Sequence, residues 1–210
     1  MVNNQEKSLA KVFGIGFHKT GTSSLSKAFE ILGYRVCGAI GIHDPNIKEQ
    51  LHQIAYSLLD KYDAFQDNPW PILYQELDQK CPGSKFILVI RPVDSWINSV
   101  VTHFGTRNTP MRELIYGVGH PKGNENIYIE RYERHNAEVI EYFKDRPNDL
   151  LVIHLNEGKL WEKICPFLDK EIPDIEFPHV NKKQNKKIQR AFKNIKNNLK
   201  SFSGPDSNLI

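Results

Sequence analysis

The stretch from Val12 to Gly33 constrains the fold more than any other part of the chain. Val12-Phe13-Gly14-Ile15-Gly16 is an apolar run of strand length, and a turn rich in Gly, Thr and Ser follows it. Leu25, Ala28, Phe29 and Leu32 then recur at i, i+3, i+4 and i+7, and Gly33 stands where that helix should stop. A strand that enters a helix through a tight glycine turn is the first half of a crossover unit. Repeated, such units build a parallel sheet with helices on both faces.

The rest of the chain continues the alternation. Lys85 to Ile90 is apolar after its first residue, as expected of a strand covered on both faces. Asp63 to Gln66 reads as a short strand and Leu150 to Leu155 as the last one. Asp44-Pro45 looks like a helix cap followed by a first-turn proline, opening a helix with Ile47, Leu51, Ile54 and Leu58 on one face. Helical periodicity also covers Trp70 to Leu77, Val93 to Phe104, Ile127 to Phe143 and the residues around Leu160, Ile164 and Phe167. Thr106 to Asn126, rich in Gly, Pro, Asn and charge, is expected to be loop or lid, and Ile172 to Pro178 to be extended. The fold expected is α/β, a three-layer sandwich with a central, mostly parallel sheet and a P-loop-like turn. One domain should span 1–210, with a basic helical tail at about 182–202. In such sheets ligands sit beyond the carboxyl ends of the strands.

Composition narrows the classes. With 210 residues and 40% hydrophobic content the chain can bury one sizeable core. No run reaches the roughly 20 apolar residues of a membrane span, and the first residues lack a secretory signal, so the expected location is cytoplasmic. Cys37, Cys81 and Cys165 form no paired motif and the eight histidines no closely spaced pair, so no metal is expected. The net charge of +3 conceals an asymmetry. Eight basic residues lie between Lys182 and Lys200 with no acidic one, leaving an excess of five acidic groups elsewhere. That balance does not suit a nucleic-acid binder. The tail is either a solvated helix face or a peripheral contact for an anionic surface.

Two polar clusters follow strands. The first is Gly16-Phe-His-Lys19-Thr-Gly21-Thr-Ser-Ser-Leu25. Glycines let backbone N–H groups converge on an anion, the helix start adds its dipole, and Lys19 adds a charge. An NTPase loop would carry lysine directly after the second glycine, where Thr22 stands here. In the second cluster the strand ends in Arg91, where an NTPase usually places a magnesium-binding aspartate. Eight residues further on is Ser99. Arginine and serine at that interval can close on one phosphate from two sides. Asp94 reads as a helix cap.

Together these residues resemble the sulfotransferase superfamily, which uses 3′-phosphoadenosine 5′-phosphosulfate (PAPS), and in particular its small bacterial-type members. Lys19-Thr-Gly-Thr-Ser-Ser-Leu25 is similar to that family's 5′-phosphosulfate loop, and Arg91 with Ser99 to its 3′-phosphate pair. The resemblance extends over roughly residues 10 to 183. It implies transfer of a sulfuryl group from PAPS to a hydroxyl or amine on a small-molecule or glycan acceptor, leaving 3′-phosphoadenosine 5′-phosphate (PAP), by in-line displacement without metal. It assigns Lys19, Thr20, Gly21, Thr22, Ser23, Ser24, Arg91, Ser99 and Lys182 to the nucleotide, and charge stabilisation on the leaving group to Lys19.

Other roles stay open. Ser24 stands where the cytosolic branch has an adenine-stacking tryptophan, leaving Trp161 or Phe177 as substitutes, with core packing the alternative for Trp161. Asp67 occupies the family's place for the acceptor base in chain order, or it forms an Asx turn into Pro69. His18 is a second candidate, as proton carrier or as a brace for the loop backbone. His103, His120 and His135 are expected on the lid side. Two rivals remain: a phosphotransferase or nucleotide kinase with a variant P-loop, and a non-catalytic nucleotide-binding module.

Overall fold

The computed structural model describes residues 10–180. Lys182 and the basic tail lie outside the described residues. Contacts divide the chain into two units, Met1–Pro178 and His179–Ile210; the fold below is that of the first.

Five strands form one sheet: β1 (Val12–Gly14), β2 (Val36–Cys37), β3 (Ala64–Gln66), β4 (Lys85–Val89) and β5 (Leu150–Ile153). Their order is β2-β3-β1-β4-β5, and every pairing is parallel. β1 is therefore central; the chain crosses first to the edge at β2, returns to β3 beside β1, and then lays β4 and β5 on the other side. Gly14 is level with Gln66 of β3 and with Ile87 of β4, so the carboxyl ends of the three middle strands open onto one edge.

The strands alternate between two apolar layers. Val12, Ala64, Ile87, Val89 and Ile153 pack with α1 (Thr22–Ile31) and α7 (Leu160–Phe167). Phe13, Phe65, Phe86 and Leu88 face the opposite layer, built from α2 (Ile47–Tyr56), α3 (Tyr74–Lys80), α4 (Val93–Phe104), α5 (Pro110–Tyr116) and α6 (Glu125–Tyr142). Phe13 stacks between Phe65 and Phe86, with ring centroids 5.1 and 5.3 Å away. Burying each such ring contributes about 1.5–3 kcal/mol, which fixes the register of the three strands on which the site depends.

Several boundaries differ from expectation. Residues 106–126 are not all loop: α5 runs through them and buries Met111, Arg112, Ile115 and Tyr116. The Thr109 side chain accepts from the Arg112 N–H, Pro110 occupies the first turn, and left-handed Gly117 ends the helix. These are ordinary start and stop signals, hidden by the surrounding polar composition. The helix expected from Asp44-Pro45 begins at Ile47, because Asp44 instead forms an Asx turn, accepting from the Asn46 N–H at 2.9 Å. Asp94 sits inside the first turn of α4, and the capping position belongs to Pro92. The edge strand β2, only two residues long, had no periodicity to announce it.

Candidate active site

The turn after β1 is shaped by close approach. Ile15 still donates to Ile87 at 2.9 Å; the chain then folds back so that Phe17 O accepts both the Thr20 N–H (3.3 Å) and the Thr20 hydroxyl (2.7 Å). Thr20 thus commits its hydroxyl to the loop itself. A Cβ at Gly16 would stand 2.6 Å from the Val89 carbonyl, so only glycine passes there without displacement. Lys19 has φ 66° and Gly21 φ 126°, two successive departures that turn the chain into α1. Gly21 caps α1 without a side-chain bond, and the first-turn N–H groups of Thr22 and Ser23 have no intrahelical acceptor, as at any helix start. Lys19 is half-buried, Ser23 exposed, and Thr22 and Ser24 buried.

Arg91, just past β4, reaches this turn directly. Its guanidinium donates to the Lys19 carbonyl at 3.1 Å and to Ser95 Oγ at 2.7 Å. Tyr132 of α6 pins the Arg91 backbone, its hydroxyl lying 2.9 Å from both the Arg91 N and O. Ser99 stands one turn beyond Ser95 on α4. Ser95 and Tyr132 were not singled out in the sequence. Ser95, four residues after Arg91, was readable in principle, whereas Tyr132 needed the packing of α6.

Asp67 lies on the other side of β1, at the end of β3. Its backbone is left-handed at φ 68°. One carboxylate oxygen accepts from the Thr22 hydroxyl at 3.3 Å, the other from the Asn68 N–H at 2.8 Å. Desolvation raises its pKa above the ordinary carboxylate value, outweighing the bonds from Asn68 and Thr22 and the Lys19 charge, which lower it. The Trp70 N–H donates to the Asp67 carbonyl at 3.1 Å, so Asp67 opens a backbone turn, while its side chain bonds the adjacent Asn68 N–H rather than closing an Asx turn.

His18 is 4% exposed. Its Nδ1 accepts from the Asn68 amide at 3.0 Å and its Nε2 faces the Tyr116 hydroxyl at 3.4 Å. Burial first, then the charges of Arg112, Lys19 and His103, lower its pKa to about 3. The ring is neutral near pH 7 and both nitrogens are engaged. That suits a brace better than a proton carrier.

The remaining candidates are dispersed. His135 is not on the lid side but in the core, fully buried on α6, donating to Ile15 O at 2.8 Å and stacked on Phe17 at 4.2 Å. His103 is exposed at the end of α4, and His120 pairs with Asn108 at 2.7 Å. Trp161 is buried beside Ala28, with its indole N–H on Ile175 O at 2.9 Å and Phe177 edge-on at 5.0 Å. Both rings therefore pack toward the far end of α1 from the anion turn, and for Trp161 this is the core packing that stood as its alternative. Among the described residues no cluster of three or more His, Cys, Asp or Glu could hold a metal ion, and no helix is long and apolar enough to cross a membrane.

Lys19, Thr22, Asp67 and Arg91 thus meet at the carboxyl edge of β1 and its two neighbours, the switch point of the sheet. A protein of Aspergillus versicolor named Ava biosynthesis cluster protein M is 28% identical over 213 residues, an alignment covering 81% of this chain and 80% of that one. The family model for the sulfotransferase domain matches residues 11–121 and 108–186, most of the chain and all of the site just described, and the chain belongs to that family.

Proposed function

We propose that the protein transfers a sulfuryl group from PAPS to a hydroxyl or amine acceptor of small-molecule or glycan type. The observation that carries this reading is the meeting of the Arg91 guanidinium with the Lys19 carbonyl, which unites a 5′-anion turn and a 3′-anion arginine at one sheet edge. When bound, PAPS supplies an activated sulfuryl group on a phosphate leaving group. Lys19, the N–H groups of Gly21, Thr22 and Ser23, and the hydroxyls of Thr22 and Ser23 surround the place for its 5′ end and stabilise charge on the departing oxygen. Arg91 and Ser99 hold the 3′-phosphate, with Ser95 fixing the orientation of Arg91. Asp67, its basicity raised by burial, takes the acceptor proton. Thr22 has a single hydroxyl proton, which it gives to Asp67 in the absence of donor. Redirecting that proton to the donor anion frees an Asp67 oxygen for the acceptor, so donor binding prepares the base. The free thiols of Cys37, Cys81 and Cys165 suit a reducing, cytoplasmic setting. The relative's role in a biosynthesis cluster, as its name gives it, is in keeping with a small-molecule acceptor.

The phosphotransferase rival has one point in its favour, since Asp67 ends a strand beside β1 where a metal carboxylate could stand. Against it, Thr22 replaces the P-loop lysine and β4 ends in Arg91. Thermal-shift titration with PAP, ADP and ATP, each with and without magnesium, decides between them. A ligand at 100 times its Kd adds about 2.7 kcal/mol of stability. Stabilisation by PAP regardless of magnesium, lost in Arg91→Ala, is the expected result. Stabilisation by ATP only with magnesium would sink the sulfotransferase reading.

A further inference from the structure

The polar groups behind Asp67 form a continuous bridge to α5. The Tyr116 hydroxyl lies 3.4 Å from His18 Nε2, Asn68 donates its amide to His18 Nδ1 at 3.0 Å, and the Asn68 N–H donates to the Asp67 carboxylate at 2.8 Å. Asn68 is 3% exposed, and its carbonyl is fixed by the Ile40 N–H at 3.0 Å. Around His18, Tyr116 and Phe104 present ring edges at 5.7 and 4.9 Å, and the Trp96 indole N–H holds its carbonyl at 2.9 Å. A histidine that merely fills core space needs no such geometry. This one joins two separate elements through its two ring nitrogens, and one of them is the residue next to a left-handed aspartate. A left-handed non-glycine backbone persists only where its surroundings over-determine it.

We infer that His18 is a positioning residue: clamped between Tyr116 of α5 and Asn68, it fixes the backbone that presents the Asp67 carboxylate. The inference rests on Asp67 being the acceptor base, but the bridge can be tested without an acceptor. α5 is itself well anchored, since Arg112 donates to the carbonyls of Gly119 and Arg107 and lies over the Phe104 ring at 4.4 Å. Tyr116 therefore provides a fixed point. Burial first, and then the charges of Arg112, Lys19 and His103, keep a second proton off the His18 ring.

The experiment is a carbon-13 titration of the Asp67 carboxyl in aspartate-labelled protein, with the signal assigned by Asp67→Asn. Tyr116→Phe removes one oxygen and leaves the packing intact. It should shift the Asp67 titration by about half a pH unit or more, a roughly threefold change in proton affinity, while PAP affinity stays within about twofold, below the scale of a lost hydrogen bond. His18→Phe, which keeps an aromatic ring but neither bond, should shift it as well, and adding Tyr116→Phe should then change nothing further. Should His18→Phe not fold, His18→Leu, which likewise makes neither bond, serves in its place. An unchanged Asp67 titration in Tyr116→Phe, or shifts that simply add in the double variant, would overturn the bridge while PAP binding stood. Failure of PAP to bind the unaltered protein would instead remove the reading of the site itself.

Discussion

The guanidinium of Arg91 donates to the carbonyl of Lys19 across 3.1 Å, so the side chain that ends β4 is tied to the backbone of the turn that follows β1. One substitution at Arg91 should therefore weaken two things: the 3′-anion contact and the shape of the 5′-anion turn. Arg91→Ala is expected to lower PAP affinity tenfold to a hundredfold, as for loss of a charged hydrogen bond worth about 1.5–3 kcal/mol. Arg91→Lys should recover little, because an ammonium cannot serve Ser95, Lys19 and a phosphate together. Isothermal titration with PAP reads both.

Asp67→Asn keeps the side-chain shape and removes the basicity. Turnover should fall by about 10²–10⁴-fold with PAP affinity retained, measured as PAP released from PAPS across a panel of hydroxyl and amine acceptors. Equal loss of binding and turnover would argue that Asp67 is only a turn residue.

Thr22→Val removes a bond that favours the charged form of Asp67. In the donor-free protein the Asp67 pKa, already raised by burial, should rise further, and the acid limb of the kcat/KM profile for PAPS, which reports the free enzyme, should move to higher pH. The sign is specific. A base whose folded pKa is raised loses activity as pH falls through that raised value, and the variant should lose it sooner.

His18 and His135, with pKa values lowered to about 3 and about 4, make stability depend on pH in a definite direction. Below about pH 6.5 the unfolded chain takes up protons on these rings that the folded protein refuses, so stability falls with pH until the folded values are reached. At pH 5 each ring costs about 2 kcal/mol on this basis. Urea midpoints at pH 7 and pH 5 should differ by roughly half as much in His135→Gln as in the unaltered protein, once converted to free energy.

Gly16→Ala would set a Cβ against the Val89 carbonyl and push β4 from the turn. A loss of about 1–3 kcal/mol of stability is expected, together with weaker PAP binding. Unchanged binding would mean the turn does not need its observed approach to β4.

The alternating layers were legible because each rests on short-range pattern: apolar strands at Val12 and Phe86, and helical spacing after Leu25 and Val93. The two anion motifs were legible for the same reason, since Lys19 to Leu25 and Arg91 to Ser99 are each local. What escaped was long-range. Nothing near Tyr132 announces a bond to Arg91, 41 residues earlier, and nothing near His135 announces Ile15, 120 residues away. The polar composition of residues 106–126 hid α5, although Thr109-Pro110 and Gly117 mark its ends. His18 was visible as a residue of the turn. Its partners Asn68 and Tyr116 were not, because only the folded sheet brings them together.

Lys19 and Asp67 share the left-handed backbone described above, a conformation that costs a residue with a Cβ roughly 1 kcal/mol or more. Selection for thermal resistance alone, blind to turnover, should drift toward glycine at both positions and gain stability while discarding the two side chains to which we assign the chemistry. A library of this protein sorted first for heat tolerance and then for sulfuryl transfer would show the two traits parting company at these two codons.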